Sequence, residues 1–502
     1  MARIAVIGAG MGAMAAAARL AVAGHRVAVY ERGETYGGAV RRFERDGFSF
    51  DTGPGLLTLP AVYRDLFVKT GKQPLEECVE LVQVDPSSRH VFADGTEVAL
   101  PNASRAGVVQ ALEAALGAGA GDRWGDFLVR AREAWDRTRR PLLEEPLWTD
   151  WRVLAEREPY PAVPHKRLLR TRRAGTLAEV AAWELRDPRL AALLDAHALA
   201  YGLDPRDVPA SAAVLPYMEH AFGTWYVRGG IRELARAVYE RCVARRVEFV
   251  FGAEVTGIVE KDGRAAGLQL SDGTVAEADH VVAGVDPVRL KELTEHPLDA
   301  DGDVVPDALT PSPGRFTVLL ALRGARDEGA AHRTVVHAPD REAELNWVSG
   351  QGVGPARPTV TVLRPDDPAL RPDAAHESVV LCASVPALGD WAADGPVERF
   401  AELMVGAAEA AVPGLRERVL WRDIRTPGHS GDETGAFLGG VSAPALAGGN
   451  GDFLRPANST RLPGLYRVGG WSHPGGGLAH AGMSGALVAG LIVEGPGFRG
   501  SQ

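Results

Sequence analysis

Three stretches combine residue types and spacings that point to chemistry. Gly8-Ala9-Gly10-Met11-Gly12-Ala13 follows a short apolar run, Ile4 to Ile7, and opens an Ala-rich stretch that Gly24 stops. Arg26 to Tyr30 then reads as a second strand ending in Glu31, with Arg32 after it. The spacing predicts a βαβ unit. Its glycines let the backbone turn tightly and approach a pyrophosphate seated on the helix N-terminus, while the carboxylate ending the second strand accepts from ribose hydroxyls. The glycine pattern alone is a weak signal, but with strand, helix and acid at the right separation it predicts a dinucleotide site. Its candidate residues are Gly8, Gly10, Gly12, Ala13, Glu31 and Arg32. The second stretch is Tyr36-Gly37-Gly38, with Arg41 beyond it, and then Phe50-Asp51-Thr52-Gly53-Pro54-Gly55. Both permit close backbone approach to a flat ligand, and each alone is equally compatible with a turn. The third is Leu465 to Val468, a strand leading into Gly469-Gly470-Trp471-Ser472-His473-Pro474-Gly475-Gly476-Gly477 and a small-residue helix.

Two further glycine clusters, Gly117 to Gly121 and Gly350 to Gly354, lack a strand before and a helix after in the required order and read as linkers. With one dinucleotide site, hydride cannot pass between a bound nicotinamide nucleotide and a second cofactor. The single nucleotide is therefore expected to be the redox cofactor itself. No Ser-His-Asp elbow, HExxH or GxxxxGK[ST] occurs, which removes hydrolase, zinc-protease and P-loop readings. Three isolated Cys (Cys78, Cys242, Cys382) have no metal spacing, so no metal site is expected and a reducing, cytoplasmic setting fits.

The elements that must position these residues define an α/β fold: a Rossmann-like domain assembled from three chain segments, plus an α+β substrate domain with a helical lid. The expected boundaries are 1–103, 221–289 and 455–502 for the nucleotide domain, 104–220 for the helical lid and 290–454 for the substrate-domain sheet. Residues 81 to 101 alternate around Asp94-Gly95, a hairpin signal, and further strand signals turn at Asp262-Gly263 and Asp272-Gly273. Residues 314 to 322, 332 to 337, 359 to 363 and 379 to 385 read as strands of a second sheet. The Trp residues of the helical stretch are expected in its core.

Composition bounds the rest. A chain of 502 residues is too long for one core. Its net charge of -10 argues against a nucleic-acid partner. The longest uncharged run, Val468 to Val493, contains eight Gly, a Pro and two His, a composition unsuited to lipid burial. No basic leader with a cleavage site is evident at the N-terminus. The expectation is a soluble protein, with peripheral membrane contact and oligomeric state left open.

The order of these motifs, together with Phe222-Gly223-Thr224-Trp225-Tyr226-Val227-Arg228-Gly229-Gly230, Arg455-Pro456-Ala457-Asn458 and Ser472-His473-Pro474-Gly475, resembles bacterial phytoene desaturases. These are FAD-dependent carotenoid dehydrogenases of the amine-oxidase-like flavoprotein superfamily, and the resemblance spans essentially the whole chain. It implies noncovalent FAD, with Gly8, Gly10, Ala13 and Glu31 on the ADP half and the Val255 backbone at adenine. It also places Gly469, Gly470, Gly476, Gly477 and Leu478, in the last loop and helix, near the ribityl, diphosphate and ring. Two departures stand out. Ala39 follows the Gly-Gly pair where the family commonly has Arg, with Arg41 and Arg42 further on, and Gly470 replaces the acid many superfamily members carry.

The resemblance implies desaturation of carbon-carbon bonds in an apolar isoprenoid. The alternatives are an amine or secondary-metabolite oxidase on the same fold, a flavin-dependent non-redox isomerase, or a subunit that binds FAD structurally. Flavin dehydrogenation needs a substrate C–H aimed at the ring in a dry pocket. His473 is a candidate to steer protons there, or else a loop brace. Glu219, with His220, either faces substrate or bonds backbone at a helix end, and Arg228 braces the cofactor loops or faces solvent. Tyr217, Phe222, Trp225 and Tyr226 form either an apolar substrate wall or interface core.

Overall fold

The computed structural model describes residues 1–148, 150–165, 170–295, 297–299, 311–391 and 393–500. Its organising element is a five-stranded parallel sheet of β1 (Arg3–Ile7), β2 (Arg26–Glu31), β3 (Glu248–Phe251), β4 (His280–Ala283) and β5 (Leu465–Arg467), in the order β3-β2-β1-β4-β5. Ile4 to Ile7 are all buried, as an uninterrupted apolar run demands of a central parallel strand covered on both faces. One face carries α1 (Met11–Val22), α2 (Arg232–Ala244) and α3 (Leu478–Glu494). Only small side chains permit this: nine of the twelve residues of α1 are buried, five of them Ala, and a Cβ on Gly485 would lie 2.5 Å from the Gly12 carbonyl oxygen. The five strands thus come from the beginning, middle and end of the chain. A three-stranded antiparallel sheet, Val255–Lys261, Arg264–Leu270 and Val275–Glu277, precedes β4, and both of its turns are the expected Asp-Gly pairs.

The second layer is a seven-stranded sheet ordered Val419–Arg425, Gly314–Arg323, His376–Val385, Val360–Leu363, Arg333–Val336, Ser88–Val91 and Glu97–Leu100. The last two correct the sequence reading: the hairpin around Asp94-Gly95, expected within nucleotide segment 1–103, closes the edge of this other sheet. Ser88–Val91 pairs in parallel with Arg333–Val336, covering an edge that would otherwise present unpaired backbone groups. Val91 joins the core of the large sheet while Val98 and Leu100 join that of the helices, so the hairpin staples the two together. Leu81–Gln83, read as part of the same alternation, pairs instead with Thr224–Val227. The strand Val419–Arg425 was not foreseen from sequence. Within the stretch expected for the substrate-domain sheet, residues 300–310 lie outside the described residues.

The helical region contains Arg105–Leu116, Ala120–Arg139, Pro188–Leu199 and Val214–Phe222. Trp124 and Trp135 are buried in its core, as expected, whereas Trp148, Trp151 and Trp183 are half-buried. Among the described residues no helix is long and apolar enough to cross a membrane.

Candidate active site

At the β1-α1 turn the three glycines have three different jobs. The Gly8 N–H donates to the Tyr30 carbonyl at 2.8 Å. Gly10 precedes α1, no side chain caps that helix, and a Cβ added to Gly10 would meet nothing within 4 Å. Gly12 faces the opposite way: its Cβ would lie 2.8 Å from both the Gly469 α-carbon and the Ala481 carbonyl oxygen. Ala13 is buried in a separate contact, its Cβ 3.2 Å from the point a Gly284 Cβ would occupy. The uncapped N–H groups of α1 therefore open at Gly10 onto a space that suits an anion.

Glu31 is buried, its Oε2 accepting the Ala9 N–H at 2.8 Å and its Oε1 the Gly33 N–H at 2.9 Å. The carboxylate that ends β2 thus shapes the glycine turn, and each oxygen keeps a lone pair for a further donor. Arg32 and Arg41 reach away from this turn. Arg32 donates to the Asp432 carbonyl at 2.5 Å, and Arg41 donates to the Gly38 and Glu433 carbonyls at 2.9 and 2.8 Å. Both guanidiniums lie on the C-terminal carbonyls of the helix Pro427–Thr434, the negative end of its dipole. Gly37 has φ +101° and gives its N–H to Ala9 at 2.7 Å. The volume a side chain would take there belongs to Arg232, which bonds Val40 O at 2.8 Å and Thr35 Oγ1 at 2.5 Å, and stacks over Tyr36.

Asp51 caps α2 through the Ile231 N–H at 2.9 Å, and burial raises its carboxyl to about 6. Gly53 packs on the Ala39 carbonyl, Gly55 lies against Leu363, and Pro54 between them is half-buried. The Val255 side chain is buried and its carbonyl already accepts from Arg289 at 3.0 Å.

The closing loop meets this turn from the other end of the chain. A Cβ on Gly469 would meet nothing within 4 Å, whereas one on Gly470 would lie 2.5 Å from Ser442 Oγ. That contact is a physical reason for glycine at this position. Gly476 packs on the Ser442 carbonyl, Gly477 (φ +100°) heads α3 without a side-chain cap, and the Leu478 carbonyl accepts the Tyr63 hydroxyl at 2.9 Å.

His473 is fully buried. Its N–H donates to Pro456 O at 2.9 Å, its carbonyl accepts from Asn458 Nδ2 at 2.8 Å, and its Nε2 donates to the Glu145 carbonyl at 2.9 Å. Burial holds its pKa down at about 4. The candidate proton-steering residue is thus a neutral brace tying the loop to the helical region.

The other two candidates are also engaged. Glu219 forms a bidentate pair with Arg333, Nη1 lying 3.0 Å from Oε2, and has His197 Nε2 at 3.9 Å. Burial works against its charge, but Arg333 and then His197 prevail and hold the carboxyl at about 2. Arg228 is exposed, bonded to Glu80 Oε1 and the Asp366 carbonyl, both at 3.3 Å. The expected aromatic wall is dispersed over three cores. Tyr217 and Phe222 pack beside Trp135, and Trp225 joins the nucleotide core with its Nε1 on the Phe222 carbonyl at 2.9 Å. Tyr226 turns to the far side, where its hydroxyl donates to Asp367 Oδ2 at 2.8 Å.

Three residues that sequence reasoning did not weigh individually organise the interior. Asn458 donates to the Arg467 and His473 carbonyls and to Ser484 Oγ. Tyr201 lies with its hydroxyl 3.5 Å from the point a Gly477 Cβ would occupy. Arg455 donates from Nε to the Ala443 carbonyl at 2.9 Å. Arg455 and Asn458 sit in a motif already visible in sequence, while nothing there marks Tyr201.

A parallel sheet with an open, uncapped glycine turn at the C-terminal end of β1 is the arrangement of a dinucleotide-binding enzyme. The chain matches the model of the flavin containing amine oxidoreductases over residues 14–493 and belongs to that family. Its cofactor is FAD, and the open positions at Gly10 and Gly469 beside the bare end of α1 fit a phosphate-bearing group of that kind. Among curated proteins it is 28% identical to a 4,4'-diapolycopene oxygenase of Methylomonas sp (98% of both chains covered). It is 30% identical to a hydroxyneurosporene desaturase of Cereibacter sphaeroides (98% and 97%) and 29% to a zeta-carotene-forming phytoene desaturase of Myxococcus xanthus (97% and 93%). Its fold is similar to that of an oxidoreductase from Methanosarcina mazei (TM-score 0.67, 19% identity, 97% and 99% covered) and of putrescine oxidase (TM-score 0.64, 13%, 98% and 99%). The expected family, cofactor and oxidoreductase class are thereby borne out.

Proposed function

We propose that this flavoenzyme desaturates carbon-carbon bonds of a long apolar isoprenoid of the carotenoid type. The full-length similarity to carotenoid desaturases and oxygenases supports this reading. The observation that carries it against amine oxidation is the Glu219–Arg333 pair. Glu219 lies three residues before Phe222, and an arginine already neutralises it, so it is not free to hold an ammonium group; Asp367, at the Tyr226 hydroxyl, is likewise taken by that hydroxyl and the Gly229 N–H. Bound FAD supplies a two-electron acceptor for hydride leaving a C–H bond. Among this chain's residues, Phe222 and Tyr217, packed on Trp135, offer apolar surface to a hydrocarbon, which gains about 0.8 kcal/mol for each CH2 taken from water. The brace at His473 holds the last loop against the helical region. Glu219, ionised but held at about 2 by Arg333, is a poor acceptor for the proton lost alongside the hydride. A substrate of this class resides in membranes, and we propose peripheral membrane contact as its route in.

Anaerobic mixing of the FAD-loaded protein with acyclic carotenoid precursors in vesicles, and separately with amines, tests both readings. Bleaching of the flavin with the isoprenoid, and a product two hydrogens poorer, is the expected result. Bleaching by amines alone overturns the proposal. Flotation with the same vesicles tests the membrane contact.

A further inference from the structure

Arg455 lies deep in the protein, between Leu454, which is buried, and Pro456, whose carbonyl accepts the His473 N–H. Its Nε shares the Ala443 carbonyl with the Gly476 N–H, both at 2.9 Å, so the guanidinium sits directly on the glycine loop that leads into α3. Its two terminal nitrogens make no hydrogen bond and no ion pair with any described residue. The residue keeps part of its surface open. Removing a guanidinium from water without a counter-charge is costly, and burial alone pushes its pKa down to about 10. Arginines enclosed in the core avoid that cost: Arg364 has Glu377 at 2.6 Å and Arg467 has Asp299 at 2.6 Å.

A second feature converges on the same place. Gly477 heads the 17-residue helix α3 with no side-chain cap, leaving the first N–H groups and the positive end of the dipole uncovered. Beside it stands the Tyr201 hydroxyl, which has no partner among the described residues. An unpaired cation and a bare helix N-terminus on one loop define a place for negative charge.

We propose that Arg455 holds the negative charge that the bound FAD ring acquires when it is reduced. Two electrons and one proton, arriving from the substrate as hydride, leave the ring with one negative charge, while the second proton leaves the substrate carbon as the double bond forms. A fixed cation already in place stabilises that charge without reorganisation. The inference rests on the family's flavin and not on the isoprenoid reading.

The experiment compares FAD-loaded wild type with Arg455→Met and Arg455→Lys by flavin midpoint potential and by the spectrum of the reduced flavin as a function of pH. Arg455→Met is expected to weaken the reduced state at least tenfold relative to the oxidised one, a fall of about 30 mV for a two-electron couple, and to let the reduced ring take up its proton at higher pH than in wild type. Arg455→Lys keeps both properties near wild type. Should Arg455→Met fail to load, Arg455→Gln, which retains a donor for Ala443, carries the same comparison. Unchanged potential and spectra in the loaded neutral variants overturn the proposal. So does a rise in KM for substrate with the potential unmoved, which would assign the guanidinium to the substrate instead. Both readouts are independent of which substrate the enzyme takes.

Discussion

The α-carbon of Gly469 lies 2.8 Å from the point that a Gly12 Cβ would occupy, so the first and last turns of the nucleotide-binding sheet meet backbone to backbone. Two residues earlier, Gly10 faces empty space. The same substitution at the two positions should therefore do different things. Gly10→Val is expected to fold with near wild-type thermal stability when stripped of flavin, yet to be isolated as apoprotein. Gly12→Val should lose several kcal/mol or fail to fold, overpacking costing about 1–3 kcal/mol even where side chains can give. Flavin absorbance per protein and the melting of apoprotein distinguish them; full flavin content in Gly10→Val would defeat the cofactor assignment at this turn.

Glu31→Ala removes the acceptor of two backbone N–H groups that shape the turn. Its affinity for FAD should fall by about 1.5–3 kcal/mol, the scale of a hydrogen bond to a charged group. Glu31→Gln, which can keep one of the two bonds, should lie between, as titration calorimetry on apoprotein would measure.

Glu219→Gln leaves Arg333 uncompensated and should destabilise by about 3–5 kcal/mol, as should Arg333→Met, whereas Glu219→Leu combined with Arg333→Met should recover most of that loss. The folded pKa of Glu219, about 2, lies below its ordinary value. The pair's contribution is therefore complete above about pH 4.5 and is lost as pH falls from there toward 2. Equal denaturation midpoints for wild type and Glu219→Gln at pH 7 would show the pair to be idle.

His473 and His480 are both held at about 4 by burial. Being depressed histidines, they oppose folding only where the unfolded chain is protonated and the folded one is not. Stability should be undiminished above about pH 6.5 and fall as pH drops from 6.5 toward 4. His473→Gln should reduce that slope by about one proton, read from denaturant unfolding across the range. A turnover profile with an inflection near pH 6.5 that His473→Gln abolishes would return His473 to a proton-carrying role.

Asp51 works in the opposite sense. Burial raises its pKa to about 6, so its ionisation should cost stability as pH rises from about 4 to 6. Asp51→Asn should keep the α2 cap and remove that loss, while Asp51→Ala should cost about 1 kcal/mol as a lost cap. Thermal melts at pH 4 and pH 7 separate the three.

Local periodicity and turn chemistry made β1, α1, β2, the Asp-Gly turns and most strands of the large sheet legible, because each depends on its own residues and near neighbours. The Ser88–Leu100 hairpin was legible as a hairpin but not as a member of the large sheet. Its partner, Arg333–Val336, lies more than 200 residues away, and alternation specifies faces without specifying neighbours.

The candidate site divides along the same line. The sequence alone determined that a glycine turn, a helix start and an acid at the end of β2 stand ready for a dinucleotide, since their relative positions follow from a βαβ unit's covalent span. Only the tertiary structure decided which glycine faces open space and which packs. It also decided that Glu219 is neutralised by Arg333 across 114 residues, that His473 is a brace on Glu145, and that Arg455 has no counter-ion among the described residues. Those properties are set by desolvation and by charges brought close through space, and both depend on neighbours that chain order does not name.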